Sequence, residues 1–377
     1  MDLLIYGFEI VLNPVTFAYI LGGTVLGVIF GALPGVSASM AVVLAMTFTY
    51  SMTPVVAIAF LVSVYCAAIT GGGITAILFK IPGTPSSAPT TFDGYPMAAR
   101  GEAGKALGIS LITSAIGGTF AAISMFLLAP ELARVALKFG ASELFAVSFL
   151  GLSVLTCLDE GNVIQTIISG LMGLLLATVG MDPLMGFARF TWGNSTLLAG
   201  IEMIPVMIGM FAITEVLNQT VKRTEMENIS DTSKVSTKLT SLKELWAMKW
   251  TIIRSSLIGT AVGILPGAGA TIASFLSYTT EVKSSGNPGK YGKGAPEGIA
   301  ASETANNAAT GGSMVPLLAL GIPGGNAAAV MMSALVLKGV QMGPLLIKKQ
   351  PEFLSGVFAS MMVTNVIMVI VAIGIAK

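Results

Sequence analysis

Gly27-Val28-Ile29-Phe30-Gly31-Ala32-Leu33-Pro34-Gly35-Val36-Ser37-Ala38-Ser39-Met40-Ala41 has a second copy in the same chain. It returns 232 positions later (27 to 259) as Gly259-Thr260-Ala261-Val262-Gly263-Ile264-Leu265-Pro266-Gly267-Ala268-Gly269-Ala270-Thr271-Ile272-Ala273. Gly, Gly, Leu, Pro, Gly, Ala and Ala recur in place without a gap, and Ser39 answers to Thr271. Another pair follows each copy. Thr70-Gly71-Gly72-Gly73 precedes Ile81-Pro82-Gly83, and Thr310-Gly311-Gly312-Ser313 precedes Ile322-Pro323-Gly324. Singly, these elements are ordinary: Gly-x3-Gly lets helices pack closely, Leu-Pro-Gly makes a turn between helices, and Thr-Gly-Gly makes a loop. Their joint recurrence in order is different. A tight turn needs no duplicate, whereas a site built across a pseudo-twofold axis does. Matched Gly/Pro interruptions in two hydrophobic halves mark a secondary transporter and point to its binding site.

Composition agrees with a bilayer setting. Of 377 residues, 54% are hydrophobic and 10% charged, and the mean hydropathy is +0.84. Soluble domains carry about a quarter charged residues, so a chain this long cannot cover itself with a water-facing surface. Disorder, nucleic-acid binding and ordinary cytosolic enzymology are disfavoured on that ground. The net charge of +1 implies no bulk electrostatic partner. The absence of histidine removes His-activated nucleophiles, His metal ligands and His proton relays together. Cys66 and Cys157 sit in apolar runs, which argues against a disulfide scaffold or a zinc site.

Apolar segments fall at 14–33, 36–50, 54–70, 106–130, 141–157, 163–180, 197–217, 252–266, 268–279, 313–322, 326–340 and 353–376. A bilayer core of about 30 Å needs roughly 20 apolar residues in a helix. The segments 268–279, 313–322 and 326–340 are too short to cross alone, and read as re-entrant hairpins or broken helices, backbone that survives at membrane depth only inside protein or beside a watery cavity. The expected fold is an all-α polytopic membrane protein of two homologous repeats, with about 9–12 membrane segments. The first repeat takes residues 1–217 and the second 252–377. Between them, 218–251 carries Lys222, Arg223, Lys234, Lys238, Lys243 and Lys249, and reads as a charged cytoplasmic linker. The Asp159-Glu160 turn has no nearby base and fits the outer side. Asp2 and Glu9, with no Lys or Arg among the first ten residues, argue against a cleavable signal.

Each Pro-Gly step frees backbone groups, because proline lacks an N–H and glycine allows unusual angles. A half-helix that starts there aims unpaired N–H groups and a positive dipole end at whatever lies ahead, which is an anion site. The candidate substrate residues are Pro34, Gly35, Ser37 and Ser39; Gly72, Pro82, Gly83, Thr84 and Ser86; Pro266, Gly267 and Thr271; and Asn307, Pro323, Gly324 and Asn326. Thr70, Asn306, Asn307 and Thr310 are candidate ion ligands. The adjacent amides of Asn306 and Asn307 offer four acceptor lone pairs and four donors; helix capping or interhelical bonding would use them equally well. Glu297 and Glu303, six apart, do not share a helical face; one reads as an interfacial anchor and the other as a cation or proton site. Glu143, Glu202 and Glu215 lie near span ends, where solvated acids are common. None of the five arginines falls well inside a span. Lys80, just before Ile81-Pro82-Gly83, is either a snorkelling side chain or a substrate contact.

These residues resemble the large membrane subunit of the tripartite tricarboxylate transporter family (TctA-type). The resemblance rests on Gly31-Ala32-Leu33-Pro34-Gly35; on Gly71-Gly72-Gly73 through Ile81-Pro82-Gly83-Thr84-Pro85-Ser86-Ser87-Ala88-Pro89-Thr90 to Asp93-Gly94-Tyr95-Pro96-Met97; on Gly263-Ile264-Leu265-Pro266-Gly267-Ala268-Gly269; on the run from Pro296-Glu297-Gly298 to Asn306-Asn307; and on Gly321-Ile322-Pro323-Gly324. It covers about residues 15 to 350. It implies secondary uptake of small carboxylates across the bacterial inner membrane by a multi-pass subunit. A periplasmic solute-binding protein and a small four-helix membrane subunit would be its partners, in contact with membrane lipid and without nucleic acid. It implies no cofactor beyond a coupling Na+ or H+ and no metal beyond sodium. Two departures accompany it. The second half is C-terminally short relative to the family, and Ala301-Ser302-Glu303 stands where a Pro-Glu pair is typical, which implies a different local turn.

The leading expectation is therefore an ion-coupled di- or tricarboxylate permease, not an enzyme and without catalytic residues. The alternatives are a non-transporting fragment or partner subunit of such a complex, and an intramembrane Ser/Lys enzyme built on Lys80 and Ser86.

Overall fold

The computed structural model describes residues 2–140, 163–182, 186–201 and 240–375, with isolated positions among 142–153 and 205–217. Cys157, Asp159, Glu160, Glu202, Glu215 and the part of the linker at 218–239 lie outside the described residues.

The chain is an all-α membrane protein. Its first half runs α1 (Asp2–Leu12), α2 (Pro14–Ala32), α3 (Ala38–Met46), α4 (Pro54–Phe79), α5 (Thr90–Met97), α6 (Ala103–Ala136) and α7 (Val163–Ala177). A two-residue antiparallel pair, Gly180–Met181 with Ala188–Arg189, follows. The second half runs α8 (Leu242–Ala247), α9 (Lys249–Ile264), α10 (Gly269–Ser284), α11 (Pro296–Leu320), α12 (Asn326–Leu337), α13 (Pro344–Lys349) and α14 (Pro351–Ile375). Prolines open α2, α4 and α11, where the missing N–H costs no helical bond. By length and composition, α2, α4, α14 and the run Thr90–Ala136 can cross a bilayer.

One helix corrects the reading of the apolar segments. Residues 313–322 are not an independent short piece, because 313–320 complete α11, a helix of 25 residues that Gly321 ends. Nor does Ala301-Ser302-Glu303 make a turn; it is ordinary helix inside α11. Its Ser302, Glu303, Thr304, Asn306 and Asn307 are all 0% exposed. They lower the local hydropathy, so a fully buried helix escapes a hydropathy window.

The two halves interlock. α6 lies along α11, and α14 returns to pack on α1, α2, α4 and α6. The Gly-x3-Gly stretches make matching contacts in both halves. A Cβ on Gly31 would strike the carbonyl of Ala68, and one on Gly263 would strike that of Ala309. A main-chain approach this close leaves no room for a side chain.

Candidate functional site

Four breaks arise from the local chemistry of the Pro-Gly steps. α2 ends at Leu33, whose extended backbone (φ −79°, ψ 115°) ejects the chain from the helix, and α9 ends at Leu265 in the same way (φ −72°, ψ 126°). Two residues on, Gly35 and Gly267 take positive φ of 88° and 79°. α4 and α11 instead end in left-handed residues, Lys80 (φ 59°) and Gly321 (φ 72°). Gly83 N–H then donates to Gly72 O at 3.2 Å, which folds the break back against its own helix.

The new segments that follow the breaks start around one cavity of about 420 Å³. α3 enters with Ser37, Ala38 and Ser39, α10 with Gly267 to Ile272, and α12 with Gly325, Asn326 and Ala327. The short turn Pro85–Ser87, introduced by Thr84, forms a further wall. α3, α10 and α12 have 9, 16 and 12 residues, and α10 and α12 begin without a side-chain cap. Their first N–H groups lack intrahelical acceptors and face the same space. Hydroxyls add adjustable partners: Ser37 Oγ lies 2.9 Å from Ser39 Oγ, and Thr84 Oγ1 lies 3.0 Å from Ser86 Oγ. No Lys, Arg, Asp or Glu is among the lining residues. The cavity can bind negative charge with dipoles and donors, but without a counter-ion.

Of the candidate substrate residues, Ser37, Ser39, Thr84, Ser86, Gly267, Thr271 and Asn326 line this cavity. Pro34, Gly35, Pro82, Pro266 and Pro323 belong to the breaks and are not part of the lining. Gly72, Gly83 and Gly324 are scaffold: Gly83 packs on the carbonyl of Gly31, and Gly324 on that of Gly263. Lys80 is also outside the lining; its Nζ lies 5.8 Å from the Tyr95 ring centroid. Ser86 Oγ is bonded to Thr84 and Lys80 Nζ lies against Tyr95, so the two are not paired as a dyad. Sequence analysis missed Tyr65 and Ile69 of α4 and several residues that adjoin the candidates, such as Ala38, Pro85, Gly269 and Ala327. Tyr65 carried a signal, as the lone phenol in an aliphatic run.

Asn306, Asn307, Thr70 and Thr310 sit elsewhere, in a polar cluster that is 0% exposed. Thr70 Oγ1 donates to Asn307 Oδ1 at 2.9 Å, and Asn307 Nδ2 donates to Asn306 Oδ1 at 2.9 Å. Thr310 Oγ1 donates to the Asn307 carbonyl at 2.7 Å. Each amide oxygen is thus already engaged by a neighbour. One turn earlier on α11, the Glu303 carboxyl accepts from Thr90 Oγ1 and, at 3.2 Å, from Ser114 Oγ. Glu297, by contrast, pairs with Lys290 at 2.7 Å near the start of the helix.

Asp93 has a structural part. Asp93 Oδ1 accepts from the N–H groups of Gly294 and Ala295, both at 2.8 Å, and Oδ2 accepts from Tyr278 Oη at 2.8 Å. Asp93 thereby pins α5 to the entrance of α11. Arg100 donates to the carbonyls of Lys293 and Gly294 and braces the same loop.

Comparisons with known proteins place the chain among related sequences. The profile of the tripartite tricarboxylate transporter TctA family matches residues 17–377. An Agrobacterium vitis protein described as an uncharacterized 52.8 kDa protein in the TAR-I ttuC' 3'region is 40% identical over 373 residues, covering 97% of this chain and 72% of that protein. A second from Agrobacterium vitis, described as an uncharacterized protein in the TAR-II ttuC' 3'region, is 46% identical over 112 residues, covering 30% of this chain and 46% of that protein. No solved structure matches.

Proposed function

Because the chain belongs to the tripartite tricarboxylate transporter TctA family, we propose that it is the ion-coupled permease subunit that carries small di- or tricarboxylates of the citrate type across the bacterial inner membrane. A periplasmic solute-binding protein would deliver the substrate, and a small four-helix membrane subunit would complete the assembly. The family is one of transporter components and not of enzymes. One observation carries the reading: three helix N-termini and a hydroxyl-rich turn converge on a cavity that no charged side chain lines. A volume of about 420 Å³ lies in the lower part of the roughly 300–1,000 Å³ range of small-molecule sites.

The chemistry follows from the lining. Carboxylates meet the N–H groups at the starts of α3, α10 and α12, with Ser39, Thr271 and Asn326 as side-chain donors. Several negative charges in a site without a cation repel one another. A co-bound positive charge relieves that repulsion, so substrate and ion each raise the affinity for the other. The test is uptake of labelled citrate into membrane vesicles that contain the partner subunits. Thr271→Val and Asn326→Leu each remove one neutral hydrogen bond of about 1 kcal/mol, so each should weaken uptake about fivefold. Unchanged uptake in both variants would place the substrate elsewhere.

A further inference from the structure

We propose that Glu303 is the proton site of this chain, and that the segment Thr84–Thr90 links it to the substrate cavity; the inference rests on the transport reading above.

Glu303 is 0% exposed, and among the described residues no ion pair involves it. The charged and titratable groups on the elements around it are occupied or distant. Asp93 on α5 is held by two main-chain N–H groups and Tyr278. Lys105 on α6 pairs with Glu244, and Arg254 on α9 pairs with Glu281 of α10. On α4, Cys66 lies beside Thr310, and Lys80 stands past the helix end over Tyr95. α14 brings only Glu352, in its first turn. A buried carboxylate without a cation is costly, and a proton removes the charge.

The surroundings suit both protonation states. The two hydroxyls bonded to the carboxyl, those of Thr90 and Ser114, can each donate or accept. In the charged state Thr90 Oγ1 donates to Glu303 Oε1. In the neutral state the carboxyl O–H donates to Thr90 Oγ1, and Thr90 turns its own hydrogen to Ser302 Oγ, 2.9 Å away. Ser302 passes its hydrogen to the carbonyl of Gly298 at 3.0 Å. The Glu303–Thr90 bond reverses and Thr90 redirects its hydrogen to Ser302, so neither hydroxyl loses its partner. The Ser110 hydroxyl and the Asn306 amide also face the carboxyl without a hydrogen bond of normal geometry, so further donors stand ready for the charged state.

The link to the cavity is short. Thr84 and Ser86 line the cavity, while Thr90, four residues after Ser86, holds Glu303. Gly72 and Gly73 lie between the two: Thr84 and Ser87 abut the first, and Ser110 and Glu303 abut the second. A shift of this segment on substrate binding must move the hydroxyl that decides which way the Glu303 hydrogen bond runs. One proton is taken from water on the entry side, forms the carboxyl O–H, and is released to water on the exit side.

Infrared titration of the purified chain reads the proton directly. Wild type should show a protonated-carboxyl C=O band that comes and goes with pH, Glu303→Gln should lack it, and Thr90→Val should shift its frequency. A band unmoved by both substitutions overturns the proposal, and this reading needs no transport. In vesicles that hold a pH-sensitive dye and the partner subunits, external citrate should acidify the lumen, and Glu303→Gln should cut that flux at least tenfold. Citrate uptake driven by sodium without acidification overturns the proton site and leaves the transport reading intact. A titrating band that vanishes in Glu303→Gln, in a wild type that moves no di- or tricarboxylate, overturns the transport reading and supports the proton site.

Discussion

Asp93 and Glu303 are both 0% exposed, yet their surroundings differ in kind. Two of the three donors on Asp93 are main-chain N–H groups at the mouth of α11, which cannot accept a hydrogen bond. They also carry the positive end of the helix dipole. That shell fixes the side chain in one position. Glu303 lies in the body of the same helix, and the Thr90 and Ser114 hydroxyls bonded to it can each donate or accept. The lesson is that burial alone does not mark a functional acid. The ability of its partners to reverse does.

Four substitutions test that contrast, and the largest effect belongs to the rigid shell. Asp93→Ala orphans two N–H groups and a phenol at one point, and should cost about 3 kcal/mol or more, seen as a large fall in the thermal midpoint of the detergent-purified chain. Citrate transport should fall only in proportion to folded protein. Tyr278→Phe removes one hydrogen bond to a charged group and should cost about 2 kcal/mol by the same measurement. Ser114→Ala removes the longer bond to Glu303 and should cost about 1 kcal/mol or less; its clearer sign is a displaced midpoint in the infrared titration, while Tyr278→Phe leaves that midpoint in place. An equal shift of that midpoint in both variants would erase the distinction between the shells.

The smallest effect belongs to a third carboxylate, at the surface. Lys105 Nζ lies 2.6 Å from Glu244 and, with the Ser241 N–H and hydroxyl, holds its carboxyl down to about 2. A depressed native value means that this contribution is present above the ordinary carboxylate range and is lost as pH falls toward about 2. Solvent screens the pair, so Glu244→Gln should change the thermal midpoint by no more than about 0.5 kcal/mol equivalent at neutral pH.

Much of this was readable beforehand, for reasons that differ by residue. The breaks at Leu33-Pro34-Gly35 and Leu265-Pro266-Gly267 follow from residues adjacent in the chain, since a missing N–H and a positive φ act locally. Ser37, Ser39, Thr271 and Asn326 follow them closely enough that a cavity at the breaks had to include them. Tyr65 and Ile69 reach the same space from the body of α4; only the lone phenol of Tyr65 stands out locally, and no local rule announces Ile69. α11 was undervalued because hydropathy counts polar residues as exposed, whereas Ser302, Glu303, Asn306 and Asn307 find their partners on other helices.

Membrane residence, an all-helical fold, paired interruptions and membership of a transporter family are properties of composition and of short ordered motifs, and each can be read without knowing what touches what. The separation of an open cavity without charged lining from a sealed carboxyl, and the short segment that joins them, required the packed chain. Thr90 and Glu303 are more than two hundred positions apart, and periodicity carries no information about partners at that range. Whether a buried acid meets hydroxyls or main-chain N–H groups depends on which helices pack together, and that choice is made by the core as a whole.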